Sequence, residues 1–215
     1  MGFRHLLTKG SYFNMQFIFD EIPIRLVPFD ELAFFNNPAE FDLVTTSLST
    51  GQSVVLSKSD MKNIGVNKAL IASSSIPLLS RPAEILGHLF LDGGVSDSIP
   101  VRYALGKHEI AVVVLTQPRG YRKGNTENAM LLKLAFRKHP EFLETLLNRN
   151  EEYNKTLDFC EQMERVGKLF ILAPSQEFSV GRTEPDFKKR EALYNHGYSL
   201  ISKEFENLLS FLNRD

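Results

Sequence analysis

The sequence predicts an α/β protein with a mainly parallel central sheet covered by helices. Three observations lead there. Strand and helix patterns interleave along the chain, the apolar strands lack clean in-out alternation, and 215 residues with 43% hydrophobic content can bury a substantial core. Glycines and prolines are scattered as single turns, with no internal period, low-complexity tract or linker, so the chain reads as one domain.

The elements follow in order. Phe41 to Ser47 and Val54 to Ser57 are rich in β-branched residues and flank Thr50-Gly51, which predicts a strand pair joined by a turn. A helix is expected from about Ser59 to Ala72, then a strand at His88 to Leu91. A short helix is opened by Ser98 and Pro100 and closed near Gly106, and the apolar strand Ile110 to Thr116 comes next. Glu127 to Lys138 and Pro140 to Val166 read as helices. The second carries Phe142, Leu146, Tyr153, Leu157, Cys160 and Met163 at near-helical spacing, the pattern of a core-facing stripe. Leu169 to Ala173 is a short buried strand and Phe187 to Asn213 an amphipathic helix.

Composition excludes several classes. Lys and Arg number 25 against 26 acids, so a net charge of -1 offers nothing to draw nucleic acid or strongly anionic lipid. The single cysteine, Cys160, cannot form an internal disulfide and reads as a buried structural thiol. The longest wholly apolar run, Ile110 to Leu115, falls far short of the roughly 20 residues a membrane span needs. The first residues show no secretory core, and Leu6 stands where a myristoylation signal has Ser or Thr. His5, His88, His108, His139 and His196 have no metal-ligand spacing, and no cofactor or metal is expected.

The residues that promise chemistry are His88-Leu-Phe-Leu-Asp-Gly-Gly94. An apolar strand there ends in a carboxylate, and in parallel sheets ligands sit beyond the carboxyl ends of strands. Two glycines let the backbone turn sharply and approach another segment closely. Asp92 is therefore a candidate general base, with Gly93 and Gly94 supporting it. The bland alternative is an Asp that only accepts hydrogen bonds from turn amides. Asp97 competes for the role, but it and Ser98 are better placed to cap the following helix.

Taken with Ala72-Ser-Ser-Ser-Ile-Pro77, Leu91-Asp-Gly-Gly-Val-Ser-Asp-Ser-Ile-Pro-Val101 resembles the C-terminal two-thirds of bacterial patatin-like phospholipases, from about Gly10 to the last helix. The resemblance implies a partial three-layer α/β/α fold and a serine acyl hydrolase that uses a Ser-Asp dyad. Asp92 would take the proton of the serine hydroxyl. The family's nucleophile lies in a G-x-S-x-G elbow and its oxyanion hole in an upstream glycine-rich loop. Among 13 glycines only Gly120 and Gly124 have the elbow spacing, with Arg122 between them, so no nucleophile is found here. Ser73, Ser74 and Ser75 follow a helix, whereas an elbow follows a strand. Ser96 and Ser98 lie too near Asp92 in the chain to form an independent elbow.

The expectation is thus a cytoplasmic or peripheral membrane lipid hydrolase. These residues would supply the aspartate alone and be inactive by themselves, with an N-terminal segment and its central strands missing. Partners would be a lipid or ester substrate and, across an exposed sheet edge and apolar surface, a second copy of the chain. A degenerate, non-catalytic binding or assembly protein is the alternative. Eight of the 17 phenylalanines fall within the first 41 residues, among them Phe13, Phe17, Phe19, Phe29, Phe34 and Phe35. They are candidates for core packing or for contact with an acyl chain or lipid surface.

Overall fold

A computed structural model describes residues 8, 10–126, 128–181 and 184–214. The chain divides into two compact units, Met1–Ser98 with Asn125–Asn150, and Ile99–Gly124 with Glu151–Asp215.

The first unit opens with α1 (Phe17–Leu26), wound with π spacing, and α2 (Glu31–Asn36). In α1 the Val27 amide reaches back five residues to the Ile22 carbonyl, and Pro23 inside the segment has no amide to give. The Asp30 carboxylate caps α2 by accepting from the Ala33 amide at 2.8 Å. Strands β1 (Asp42–Ser47) and β2 (Ser53–Ser57) form the expected hairpin, with Val44 opposite Val55. Next, α3 (Lys58–Ile64) starts with a capping box. The Ser57 hydroxyl accepts from the Asp60 amide, and Asp60 accepts from the Ser57 amide at 2.8 Å. The Ser57 hydroxyl also donates to the Asp60 carboxylate at 2.5 Å, and that bond, with the one from the Ser57 amide, holds the Asp60 carboxyl below its usual range.

The single helix expected over residues 59–72 is two helices. Gly65, at φ 87°, ends α3 and starts α4 (Val66–Ser73). Strands β3 (Ala83–Ile85) and β4 (His88–Asp92) complete a four-stranded sheet in the order β2-β1-β4-β3. Every neighbouring pair in it is antiparallel, which corrects the expectation of a mainly parallel central sheet. The reason is local. Both β1-β2 and β3-β4 reverse direction within a few residues, too few for the crossover that a parallel pair needs. The β3-β4 turn is Leu86-Gly87, with φ of 50° and 79°, as a type I′ hairpin requires.

Adjacent residues of β4 feed separate cores, as the strand period of two dictates. Phe90 packs with Leu56, Met61, Ala69, Ala72 and Ile85. Leu91 packs with Leu48, Val95, Leu132, Phe142 and Leu146. Of the second set, Leu132 lies on α6 (Ala129–Ala135) and Phe142 and Leu146 lie at the start of α7 (Pro140–Arg165).

The second unit holds α5 (Val101–Lys107), β5 (Ala111–Val114), the later part of α7, β6 (Leu169–Leu172) and α8 (Phe187–Leu212). Here the expected parallel pairing does occur, with Ala111 to Val114 alongside Leu169 to Leu172. Neither Ser98 nor Asp97 caps α5; Pro100 occupies the cap position and no side chain bonds the helix start. Val101, Val113, Cys160, Leu169 and Ile171 form the core. Burial pushes the Cys160 thiol up to about 11, so at neutral pH it stays protonated and inert. Arg119 grips Glu164 with two bonds of 2.6 Å and donates to the Ile171 carbonyl, tying the segment after β5 to α7 and β6.

Leu86 is 80% exposed and pays a left-handed backbone conformation with no packing in return. Leu86→Asn should therefore stabilise the protein by up to about 1 kcal/mol, because Asn tolerates that conformation and Leu does not. A thermal melt that fell or stayed put would contradict this account of the turn.

Candidate active site

The site is built around the junction of β4 with the following 3₁₀ turn, Gly93–Val95. Asp92 closes β4 and stands opposite Thr45 of β1. Its main chain is fixed on both sides. The Asp92 amide donates to the Ser75 carbonyl at 2.8 Å, and its carbonyl accepts from the Thr46 hydroxyl at 2.9 Å. Thr46 is fully buried, and its hydroxyl also meets the Ser96 hydroxyl at 2.8 Å and accepts from the Ser96 amide at 3.3 Å. The turn after the aspartate is thereby bracketed by a side chain from β1.

The carboxylate is half-buried, and its Oδ1 accepts from the Gly94 amide at 2.7 Å. This is the Asx turn foreseen as the bland reading of Asp92. It uses one oxygen. The other, Oδ2, takes no hydrogen bond from any described residue, so the group is oriented through one oxygen while the second keeps its basic lone pairs.

The two glycines have different reasons. A Cβ on Gly93 would lie 2.2 Å from the Val44 carbonyl oxygen and 2.5 Å from its carbon, so β1 leaves room for hydrogen alone. A Cβ on Gly94 would sit 3.0 Å from Asp92 Oδ1 and 3.7 Å from both Arg149 Nη2 and the Ser98 hydroxyl. Gly94 thus faces the carboxylate. The Gly94 carbonyl accepts from the Ser98 hydroxyl at 2.7 Å and from Arg149 Nε. Ser98, expected as a helix cap, instead closes this turn.

The serines after α4 serve the same junction. The Ser73 hydroxyl donates to the Val44 carbonyl at 2.8 Å, and Ser75, 1% exposed, donates to the Ile71 carbonyl at 2.7 Å. Ser74 is the C-cap of α4. A helix precedes the three serines and turns follow them, so the strand-to-helix geometry of a nucleophile elbow is absent there. Ser73 and Ser75 thus bond main-chain carbonyls, and Ser75 supplies the carbonyl that anchors Asp92.

Sequence reasoning missed two participants. Thr46 looked like one more β-branched strand residue. Arg149 lies 55 residues beyond Gly94 on a helix whose periodicity announced only a core stripe. No local pattern flags either, because each acts through a long-range contact to the main chain. His196 accepts from the Ser175 amide at 3.1 Å, and His5 lies outside the described residues.

The two glycines should respond unequally to the same methyl group. Gly93→Ala is expected to cost at least about 3 kcal/mol, since its collision is with main chain that cannot rotate away. Gly94→Ala should cost less than about 1.5 kcal/mol, since carboxylate and guanidinium can each give by tenths of an ångström. Denaturant midpoints in the reverse order would refute the close approach of Gly93 to β1.

Comparison with known families divides the chain. Residues 139–213, from the start of α7 to the end of α8, match a domain of unknown function, DUF6363. A comparison with curated proteins finds no match. Residues 2–105, which contain the Asp92 junction apart from Arg149, match the family of patatin-like phospholipases, and over that stretch the chain is similar to these lipid hydrolases.

Proposed function

We propose that this chain supplies the base of a patatin-type lipid acyl ester hydrolase, with Asp92 as the acid half of a Ser-Asp dyad. The serine would come from a G-x-S-x-G segment outside these 215 residues. The observation that carries the reading is the asymmetry of the Asp92 carboxylate. One oxygen is held by the Gly94 amide and the other takes no hydrogen bond from a described residue, within the stretch that matches patatin-like phospholipases. A residue needed only for the turn would use its first oxygen in the same way; the match to patatin-like phospholipases over residues 2–105 supports the catalytic role.

In the proposed mechanism Asp92 Oδ2 takes the proton from the serine hydroxyl as that oxygen adds to the ester carbonyl. The proton then passes to the leaving alcohol as the ester C–O bond breaks, leaving an acyl-enzyme. Water repeats the sequence: Asp92 takes its proton, the hydroxide adds to the acyl carbon, and the serine oxygen leaves with the proton. No cofactor enters.

Peripheral contact with lipid would fall to the first unit. Ile24, Leu26, Val27 and Leu32 are 62%, 62%, 69% and 74% exposed around the end of α1 and the start of α2. The phenylalanines divide otherwise: Phe34 and Phe35 pack against the core, while Phe17 and Phe29 are exposed. Clustered exposed aliphatics of this kind suit a lipid surface. No helix among the described residues is long and apolar enough to cross a membrane.

Three outcomes test the reading. In the full-length protein, Asp92→Asn should lower ester and phospholipid hydrolysis by about 10² to 10⁴-fold; wild-type rates would remove Asp92 from the mechanism. The 215-residue chain alone should neither hydrolyse esters nor react with a fluorophosphonate probe, and labelling at Ser73, Ser74 or Ser75 would show a nucleophile within it. Ile24→Asp with Leu26→Asp should reduce co-sedimentation of the full-length protein with phosphatidylcholine vesicles about tenfold or more. Turnover of a soluble short-chain ester should persist in that variant, and undiminished vesicle binding would assign the aliphatics to another role.

A further inference from the structure

α8 buries one described side chain, Phe211, over its whole length of 26 residues. What it exposes is ordered. Phe187, Tyr194, Tyr198, Phe205 and Leu212 are 65%, 71%, 67%, 49% and 47% exposed. At about 100° per residue they share an arc of about 40°. The spacing is that of a heptad seam: Phe187, Tyr194, Ile201 and Leu208 recur every seventh residue, and Glu191, Tyr198, Phe205 and Leu212 follow each by four. Such a stripe running the full length of a helix is the signature of a partner helix.

The charges beside the seam are split by half. The N-terminal half carries Lys188, Lys189 and Arg190, with Glu191 in the seam itself, and the C-terminal half carries Glu204 and Glu206 against Lys203. We propose that α8 pairs with α8 of a second copy of this chain, antiparallel, with Phe187 opposite the partner's Leu212, Tyr194 opposite its Phe205 and Tyr198 opposite its Ile201.

That arrangement is self-complementary about a two-fold axis. It sets the basic half of each helix against the acidic half of the other and opposes the helix dipoles, whereas parallel pairing aligns like with like. Ile201 and Leu208 extend the seam into an adjoining groove of about 600 Å³ between α8 and the outer face of β5. Val112 and Val114 stand there 37% and 72% exposed. An anionic membrane is the poorer occupant, because four basic residues beside three acidic ones give the helix little pull toward lipid.

Sedimentation equilibrium of the 215-residue chain should give twice its 24.4 kDa mass, falling to one copy in the Tyr198→Glu, Phe205→Glu double variant with unchanged helical content. Orientation is read by disulfide cross-linking. Tyr194→Cys and Phe205→Cys chains should each fail to cross-link alone and should cross-link when mixed, with buried Cys160 silent. A monomer at tens of micromolar, or cross-linking of Tyr194→Cys to itself, would overturn the proposal. So would a monomeric chain that the same double variant releases from phosphatidylserine vesicles, since the stripe would then be a lipid surface.

Discussion

The approach of Gly93 to the Val44 carbonyl is the contact on which the rest of the first unit depends. It brings the turn after β4 down onto β1 so closely that only a hydrogen fits between them. With the turn seated, Thr46 reaches the Asp92 carbonyl and Ser96, and Ser73 reaches the Val44 carbonyl from the other direction. Three segments distant in sequence thus meet around two peptide units. The bonds are part-buried, and leaving a buried polar group unmatched costs about 1 to 3 kcal/mol, so each member enforces the others.

Much of this was legible from the sequence. The β1-β2 hairpin follows from its β-branched residues and glycine turn, and α7 and α8 begin and end within a residue or two of their apolar periodicity. Asp92 at a strand end also follows from the apolar run before it. The sheet's direction did not, because β3 has three residues and its turn uses Leu at a position where Asn or Gly would have announced a hairpin. The break at Gly65 was hidden because isolated glycines are tolerated within helices. Arg149 and Thr46 were invisible as site residues, since their roles rest on main-chain carbonyls brought near by folding.

The two units show different ways of handling apolar surface. In the first, both faces of β4 find cores, and exposed aliphatics concentrate around α1 and α2. In the second, β5 turns Val113 inward while Val112 and Val114 face out, beside a helix that itself buries little. Among the described residues, an apolar strand with one partner and a helix with one buried side chain are each incomplete as packing elements, and surface of that kind is usually covered by something else.

Asp92 is held in place by its main chain as much as by its side chain. Its amide and carbonyl bonds to Ser75 and Thr46 do not involve the carboxylate. The fold therefore asks little of the acid itself, and a neutral side chain of the same shape could keep the turn. In evolutionary terms the proposed chemistry is separable from the architecture: a lineage could replace the acid at this position and retain a foldable scaffold, free to be selected for what its surfaces bind.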